Sequence, residues 1–192
     1  MATVLEAPRP AISPARFSAD EFLRMEELGL FRGRKVELSG GQIVEDELPG
    51  YDHGWLQARL AYLLTSAAGA GAQPVAELSV RISDDTVRDF DAGLVRGVER
   101  TARFALPGQV LLAVEISVTT LPTDLHVKAV EYAAGGIPTY WVVDAAASVT
   151  HVLTAPGPGG YAARAVVRFA EPLAVPGTSA TIILDDGAPP AA

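Results

Sequence analysis

One charged residue interrupts the run Val110-Leu-Leu-Ala-Val-Glu-Ile116, which otherwise reads as a strand covered on both faces. Leaving a carboxylate unpaired in such a place is very costly, so Glu115 obliges the fold to bring it a cation, a metal ion or a chemical task. Its partners must come from elsewhere in the chain. Asp91 lies twenty-four residues earlier in a second strand-like run, Val87-Arg-Asp-Phe-Asp-Ala-Gly-Leu-Val95, and Lys128 lies thirteen residues later in a helical segment. Two strand carboxylates and a lysine are the components of an oxygen-ligated metal site for phosphate chemistry, because Mg²⁺ usually takes only one or two protein carboxylates and leaves its other positions to water and substrate.

Composition narrows the choice of site. The chain has no Cys and three His, so disulfides, thiolate zinc sites and a cysteine nucleophile are excluded, and any metal must be held by oxygen or imidazole. A net charge of −8 argues against a broad basic surface that coats nucleic acid. A carboxylate cluster that binds cations contributes to that negative charge, and the ion then faces the phosphate. No apolar stretch approaches the roughly 20 residues that span a bilayer. The start of the chain also lacks a basic region followed by an apolar one, so a cytoplasmic protein with no membrane partner is expected.

At 192 residues with 49% hydrophobic content, one domain is the default expectation: an arm over residues 1–15, a domain over 16–184 and a disordered tail over 185–192. Ser18-Ala-Asp-Glu21 is a capping box, and Phe17 and Phe22 stand at the two positions of a hydrophobic staple, which predicts a helix from Ala19 to about Leu28 ended by Gly29. Lys35-Val-Glu-Leu38 and Gln42-Ile-Val-Glu45 flank Ser39-Gly40-Gly41 as a hairpin. A second helix is expected from about Asp52 to Ala68, then strands over Val75 to Ile82 and through Asp91, with Asp84-Asp85 as the turn between them.

Beyond Glu115, Pro122 with Thr123 or Asp124 opens a third helix that runs to Gly135-Gly136, with Asp124 as its cap. Leu125, Lys128, Ala129, Tyr132 and Ala133 form one stripe of that helix, which puts Lys128 on the core-facing side. The strand Thr139-Tyr-Trp-Val-Val-Asp144 follows, and strand, helix, strand implies a parallel crossover. Short antiparallel strands are expected over Val149 to Leu153, Tyr161 to Phe169 and Ala180 to Leu184. Tyr132, Tyr140 and Trp141 read as core beneath the site, while Asp46, Glu47, Asp84 and Asp85 read as solvated loop charges.

The stretch Leu112-Ala-Val-Glu-Ile-Ser117, then Asp124, Lys128, Tyr132 and Gly136-Ile-Pro-Thr-Tyr-Trp-Val-Val-Asp144, resembles the Uma-two family of restriction-endonuclease-like proteins, a bacterial branch of the PD-(D/E)xK nucleases. Val36-Glu-Leu-Ser-Gly-Gly-Gln-Ile-Val44 is similar to that family's early hairpin, His53 falls where the family places a His, and Asp91 matches the Asp of its Pro-Asp element. The resemblance implies an α/β (α+β) fold with a mixed central sheet flanked by helices, extended by antiparallel strands at the N-terminal hairpin and the C-terminus. It implies Asp91, Glu115 and Lys128 as catalytic residues, Asp91, Glu115 and Glu37 as ligands of Mg²⁺ or Mn²⁺, and DNA as substrate. On alternation alone Glu37 reads as an outward hairpin residue, and Asp89, on the strand of Asp91, reads as an edge charge.

The chain departs from the family pattern in several places, among them Val118 in its Ser-Pro-Ser-like loop, which is also one residue shorter than usual before Asp124. Phe90 occupies the usual Pro position, and Ser117 stands two residues beyond Glu115, where the parent motif has its lysine. The alternatives are a catalytically silent nuclease-fold protein that acts as an interaction or regulatory module, which could be a homodimer, and a hydrolase of RNA or of smaller phosphate esters.

Overall fold

The computed structural model describes residues 13–46 and 48–185. The expected tail beyond Asp185, most of the expected arm, and Glu47 lie outside the described residues. Helix α1 (Ala19–Glu27) begins as predicted, with the Ser18 side chain accepting from the Glu21 amide and Glu21 reaching back to the Ser18 amide. Its buried face, Ala19, Phe22 and Leu23, packs with Val36, Leu38 and Val87 in a small core of its own, joined by Phe17.

Strands β1 (Lys35–Ser39) and β2 (Gln42–Asp46) form the hairpin, and helix α2 (Tyr51–Ala67) follows. Next come β3 (Gln73–Ser83), β4 (Thr86–Val95), the short β5 (Phe104–Ala105) and β6 (Val110–Ser117). The third helical region is less regular than its sequence suggests. It consists of α3 (Leu121–Thr123), a π-helical turn over Asp124–Lys128, and α4 (Ala129–Ala134). The Ala129 amide reaches back five residues to the Asp124 carbonyl, and π turns of this kind are frequent where a helix carries functional side chains.

Strand β7 (Thr139–Asp144) returns parallel to β6, in register from Ala113↔Tyr140 to Ser117↔Asp144. The C-terminal strands β8 (Val149–Gly157) and β9 (Gly160–Arg168) extend the sheet antiparallel, and β10 (Pro172–Ala174) and β11 (Thr181–Ile183) make a separate small pair. The sheet runs β2-β1-β4-β6-β7-β8-β9, with β3 also on β4 and β5 on β3. Most of its pairs are antiparallel, as expected of an α+β fold.

Two cores lie against this sheet. Leu56, Leu60 and Leu64 of α2 pack with Leu112, Val114, Ile116, Trp141 and Val143. Ala129 and Tyr132 of α4 pack with Ala113, Tyr140, Val142 and Phe90. Trp141, predicted beneath the site with Tyr132 and Tyr140, therefore belongs to the other layer. Adjacent residues of β6 serve different cores, which is why its sequence is apolar nearly throughout. Each fully buried Leu, Val or Phe contributes roughly 1.5–3 kcal/mol. No helix among the described residues is long and apolar enough to cross a membrane.

Candidate active site

A strand has two edges, and β4 divides one of its edges between two neighbours. β3 pairs along β4 from Gln73↔Val95 to Ser83↔Thr86, while on the other edge β1 pairs at Leu38↔Val87 and β6 pairs from Ala92↔Val114 to Val95↔Val110. Residues 88–91 face the gap where β1 and β6 part. Side chains replace the missing ladder there. Glu37 Oε1 accepts from the Asp89 amide at 2.9 Å, and Asp91 Oδ2 accepts from the Ile116 amide at 2.8 Å. Gln57 of α2 donates to the Asp91 carbonyl at 3.0 Å. The register of β4 and β6, carried one step past Ala92↔Val114, sets Asp91 opposite Glu115.

A cavity of about 190 Å³ opens at this fork, walled in part by Lys35, Asp46, His53, Asp91, Glu115 and Lys128. The Lys128 ammonium stands 3.1 Å from Glu115, 3.4 Å from Glu37, 3.6 Å from Asp46 and 3.8 Å from Asp124. Those carboxylates come from β6, β1, β2 and the π turn. Each Glu115 oxygen has one protein donor, Lys128 on Oε2 and the Tyr132 hydroxyl on Oε1 at 2.8 Å. Asp91 receives His53 Nε2 at 3.1 Å and lies 3.5 Å from Lys35 Nζ, which in turn is 3.7 Å from Asp46. The departure at Ser117 thus has a structural counterpart, since the ammonium reaching Glu115 arrives from the helix while the Ser117 hydroxyl donates to Asp124.

Three sequence readings need correction. Asp124 does not cap its helix: the turn begins earlier, and the Asp124 carboxylate instead accepts from Ser117 and from Thr120 Oγ1, the latter at 2.6 Å. Asp46 is not a solvated loop charge, because the end of β2 carries it to both lysines. Glu37, outward by alternation, is only 2% exposed. Its face of β1 points into the fork, where Arg88 Nη1 donates to it at 2.7 Å and also binds Glu131 through Nε at 2.6 Å. Asp89 lines neighbouring grooves but not the cavity that holds Glu115 and Lys128.

Arg88 and Lys35 escaped the sequence reading although a signal existed for each. Arg88 is a charge embedded in a buried strand, as Glu115 is, and Lys35 shares a strand face with Glu37 two residues away.

The balance of charge in the cluster is negative. Glu37, Asp46, Asp91, Glu115, Asp124 and Glu131 are six carboxylates set against the three cations Lys35, Arg88 and Lys128. Burial, with Asp91, Asp124 and Glu37 nearby, holds Glu115 well above the usual carboxylate range despite Lys128. Burial also raises Asp124. Asp91 moves the other way: burial opposes its charge, but His53, Lys35 and the Ile116 amide outweigh it and hold its carboxyl below the usual value. Burial likewise opposes the charge on Lys128, yet Glu115, Glu37, Asp124 and Asp46 prevail and keep the ammonium protonated. Lys128 is therefore a fixed cation and hydrogen-bond donor, not a base.

Helix α2 begins at the rim, where Gly50, Tyr51, Asp52 and His53 line the cavity, and its N-cap Gly50 provides no side-chain cap. Uncapped amides at a helix start favour an anion such as phosphate.

A mixed sheet with a forked edge, carboxylates from two central strands and a lysine beside them defines a nuclease fold of the restriction-endonuclease type. The same fold is present in a crystal structure described as "a putative nuclease belonging to DUF820" from Anabaena variabilis, with a TM-score of 0.66 at 18% identity over 88% of this chain and 96% of that one. The family model described as "Putative restriction endonuclease" (Uma2) matches residues 19–184, and the chain belongs to that family. No curated protein matches it.

Proposed function

We propose that the chain is a metal-dependent nuclease that hydrolyses DNA phosphodiester bonds at the cavity shared by Asp91, Glu115 and Lys128. The observation that carries this reading is the lining of one small cavity, where Asp46, Asp52, Asp91 and Glu115 outnumber the fixed cations Lys35 and Lys128, a cost in self-repulsion that a bound cation and its phosphate would relieve. The donor set suits Mg²⁺ or Mn²⁺. Asp91 and Glu115 offer hard oxygen ligands, and among the described residues no three His, Cys, Asp or Glu side chains stand close enough to hold an ion by themselves. A site of that kind leaves coordination positions for water and for substrate phosphate. Bound there, the ion would polarise the phosphoryl group and acidify water.

The chain's own side chains have separable tasks. Lys128, permanently charged, donates toward a phosphoryl oxygen or the attacking water and offsets charge that develops in the transition state. Lys35 and the start of α2 receive the phosphate, and His53 with the Ile116 amide orients Asp91. Glu37, tied to Arg88, positions Lys128 and is not assigned a ligand role, which revises the expectation drawn from the family resemblance.

The test is cleavage of plasmid and single-stranded DNA with Mg²⁺, Mn²⁺ or EDTA by wild type and Glu115→Gln. Metal-dependent cutting that disappears in the variant supports the reading, and equal activity in both proteins refutes it. A second reading draws on the protein donors of Glu115, one of which already occupies each of its two oxygens. On that reading the network is complete without metal and the protein is a non-catalytic interaction module. Thermal denaturation separates the two, because a bound ion at about 100 times its Kd stabilises the wild type by about 2.7 kcal/mol, and a complete network gains nothing.

A further inference from the structure

Two grooves adjoin the central cavity and differ in chemistry. One, of about 410 Å³, shares Tyr51, Asp52 and Val118 with the cavity and is completed chiefly by Trp55, Phe169 and Ser148. Its lining contains three aromatic rings, one carboxylate and no Lys or Arg. Beyond the α2 amides at the rim it shares with the cavity, the groove has no Lys or Arg to neutralise a phosphate, so its outer part suits a phosphate backbone poorly. Aromatic rings beside a polar acceptor suit the flat face and amino edge of a heterocycle. Tyr51 is 84% exposed, so its ring is available.

The other groove shares Lys35 and Leu48 with the cavity and is lined by Arg32 and Arg34 as well as Glu26 and Asp89. The cavity thus lies between a groove with cations and the single ring of Phe31, where Arg34 is paired with Glu45, and a groove with three rings and no Lys or Arg.

We propose, on the nuclease reading of the cavity, that the substrate is single-stranded DNA, its phosphates passing Arg32 and Lys35 and one base seated against Tyr51, Trp55 and Phe169. A duplex fits this surface poorly, since it hides its base faces in its own stack and presents charge everywhere. A single strand exposes both chemistries in succession, and each stacked base is worth about 1–3 kcal/mol, or roughly 5- to 150-fold in affinity. The chain's −8 net charge is then no obstacle, because few phosphates need be neutralised.

Binding of a labelled single strand and of the matching hairpin duplex is measured by anisotropy in Ca²⁺, for wild type, Tyr51→Ala and Trp55→Phe. Cleavage of both substrates in Mg²⁺ is measured alongside. The expected result is tighter binding of the single strand, an affinity loss of about tenfold in Tyr51→Ala, and retention in Trp55→Phe, which keeps a ring. Since Tyr51 is largely exposed, loss of fold does not explain a weaker complex, and an unchanged melting temperature verifies this. Duplex bound or cut as well as single strand, or an unaltered Tyr51→Ala, overturns the single-strand assignment even if metal-dependent cleavage is observed. If nothing is cut, the nuclease reading fails separately, and the binding arm still decides whether the groove holds a base.

Discussion

Replacing Lys128 with Met keeps an unbranched side chain one atom shorter and removes the one charge that four carboxylates share. Each of those contacts, at 3.1–3.8 Å, is worth on the order of 4 kcal/mol at the effective dielectric of a protein, but most of that gain offsets the desolvation of the ions. The net cost of removing one partner from a buried ionic cluster is about 3–5 kcal/mol. That is a large part of the 5–15 kcal/mol typical of a folded domain, and it corresponds to a melting temperature lower by roughly 6–20 °C.

The pH dependence gives the sharper check. In the wild type Lys128 has its pKa raised on folding, so its contribution is fully present below the ordinary lysine value and is lost as pH rises beyond it. In Lys128→Met the carboxylates face one another without the ammonium, so the folded state holds protons that the unfolded chain has released, and stability falls as pH rises through the carboxylate range. Urea denaturation at pH 5 and pH 8 reads both quantities. A deficit below about 1 kcal/mol, or one equal at the two pH values, would refute the reasoning.

Asp91→Asn removes a carboxyl whose pKa is depressed on folding, so the stability it contributes is present above the ordinary value near 3.9 and lost as pH falls. The acid limb of the stability curve should flatten in this variant, and an unchanged acid midpoint counts against the ion pairs drawn at Asp91. Glu37→Gln still accepts from the Asp89 amide but weakens the grip on Arg88, with an expected loss of roughly 1.5–3 kcal/mol in urea titration. Gly93→Ala would place a Cβ 2.4 Å from the Leu112 carbonyl oxygen and 2.7 Å from the Phe90 ring. A loss of at least about 1–3 kcal/mol follows, and a variant as stable as wild type would show that β4 and β6 are not this close.

Much of the framework was legible because local patterns carry it. The capping box located the start of α1 and Gly29 its end to within a residue, the Gly-rich turn located the β1–β2 hairpin, and the apolar run around Glu115 located β6. Alternation failed at Glu37 because a period of two reports that a strand has two faces, not that the polar face meets water. It failed at Asp46 because the end of a hairpin strand looks the same in sequence whether it projects into solvent or over a cavity. The π turn left no pattern distinguishable from an α-helix, and with it went the correct role of Asp124.

By itself the sequence determined that Glu115 could not be left alone, since an apolar strand and a carboxylate are a costly combination in any fold. Which groups answer that need was decided only in three dimensions. The parting of β1 and β6 along one edge of β4 leaves backbone amides that Glu37 and Asp91 must satisfy, and the same gap admits Lys128 from a helix in the next crossover. Electrostatic partnership depends on distances of a few ångströms, and the residues that achieve them here are separated by up to ninety-one positions in the chain, from Glu37 to Lys128.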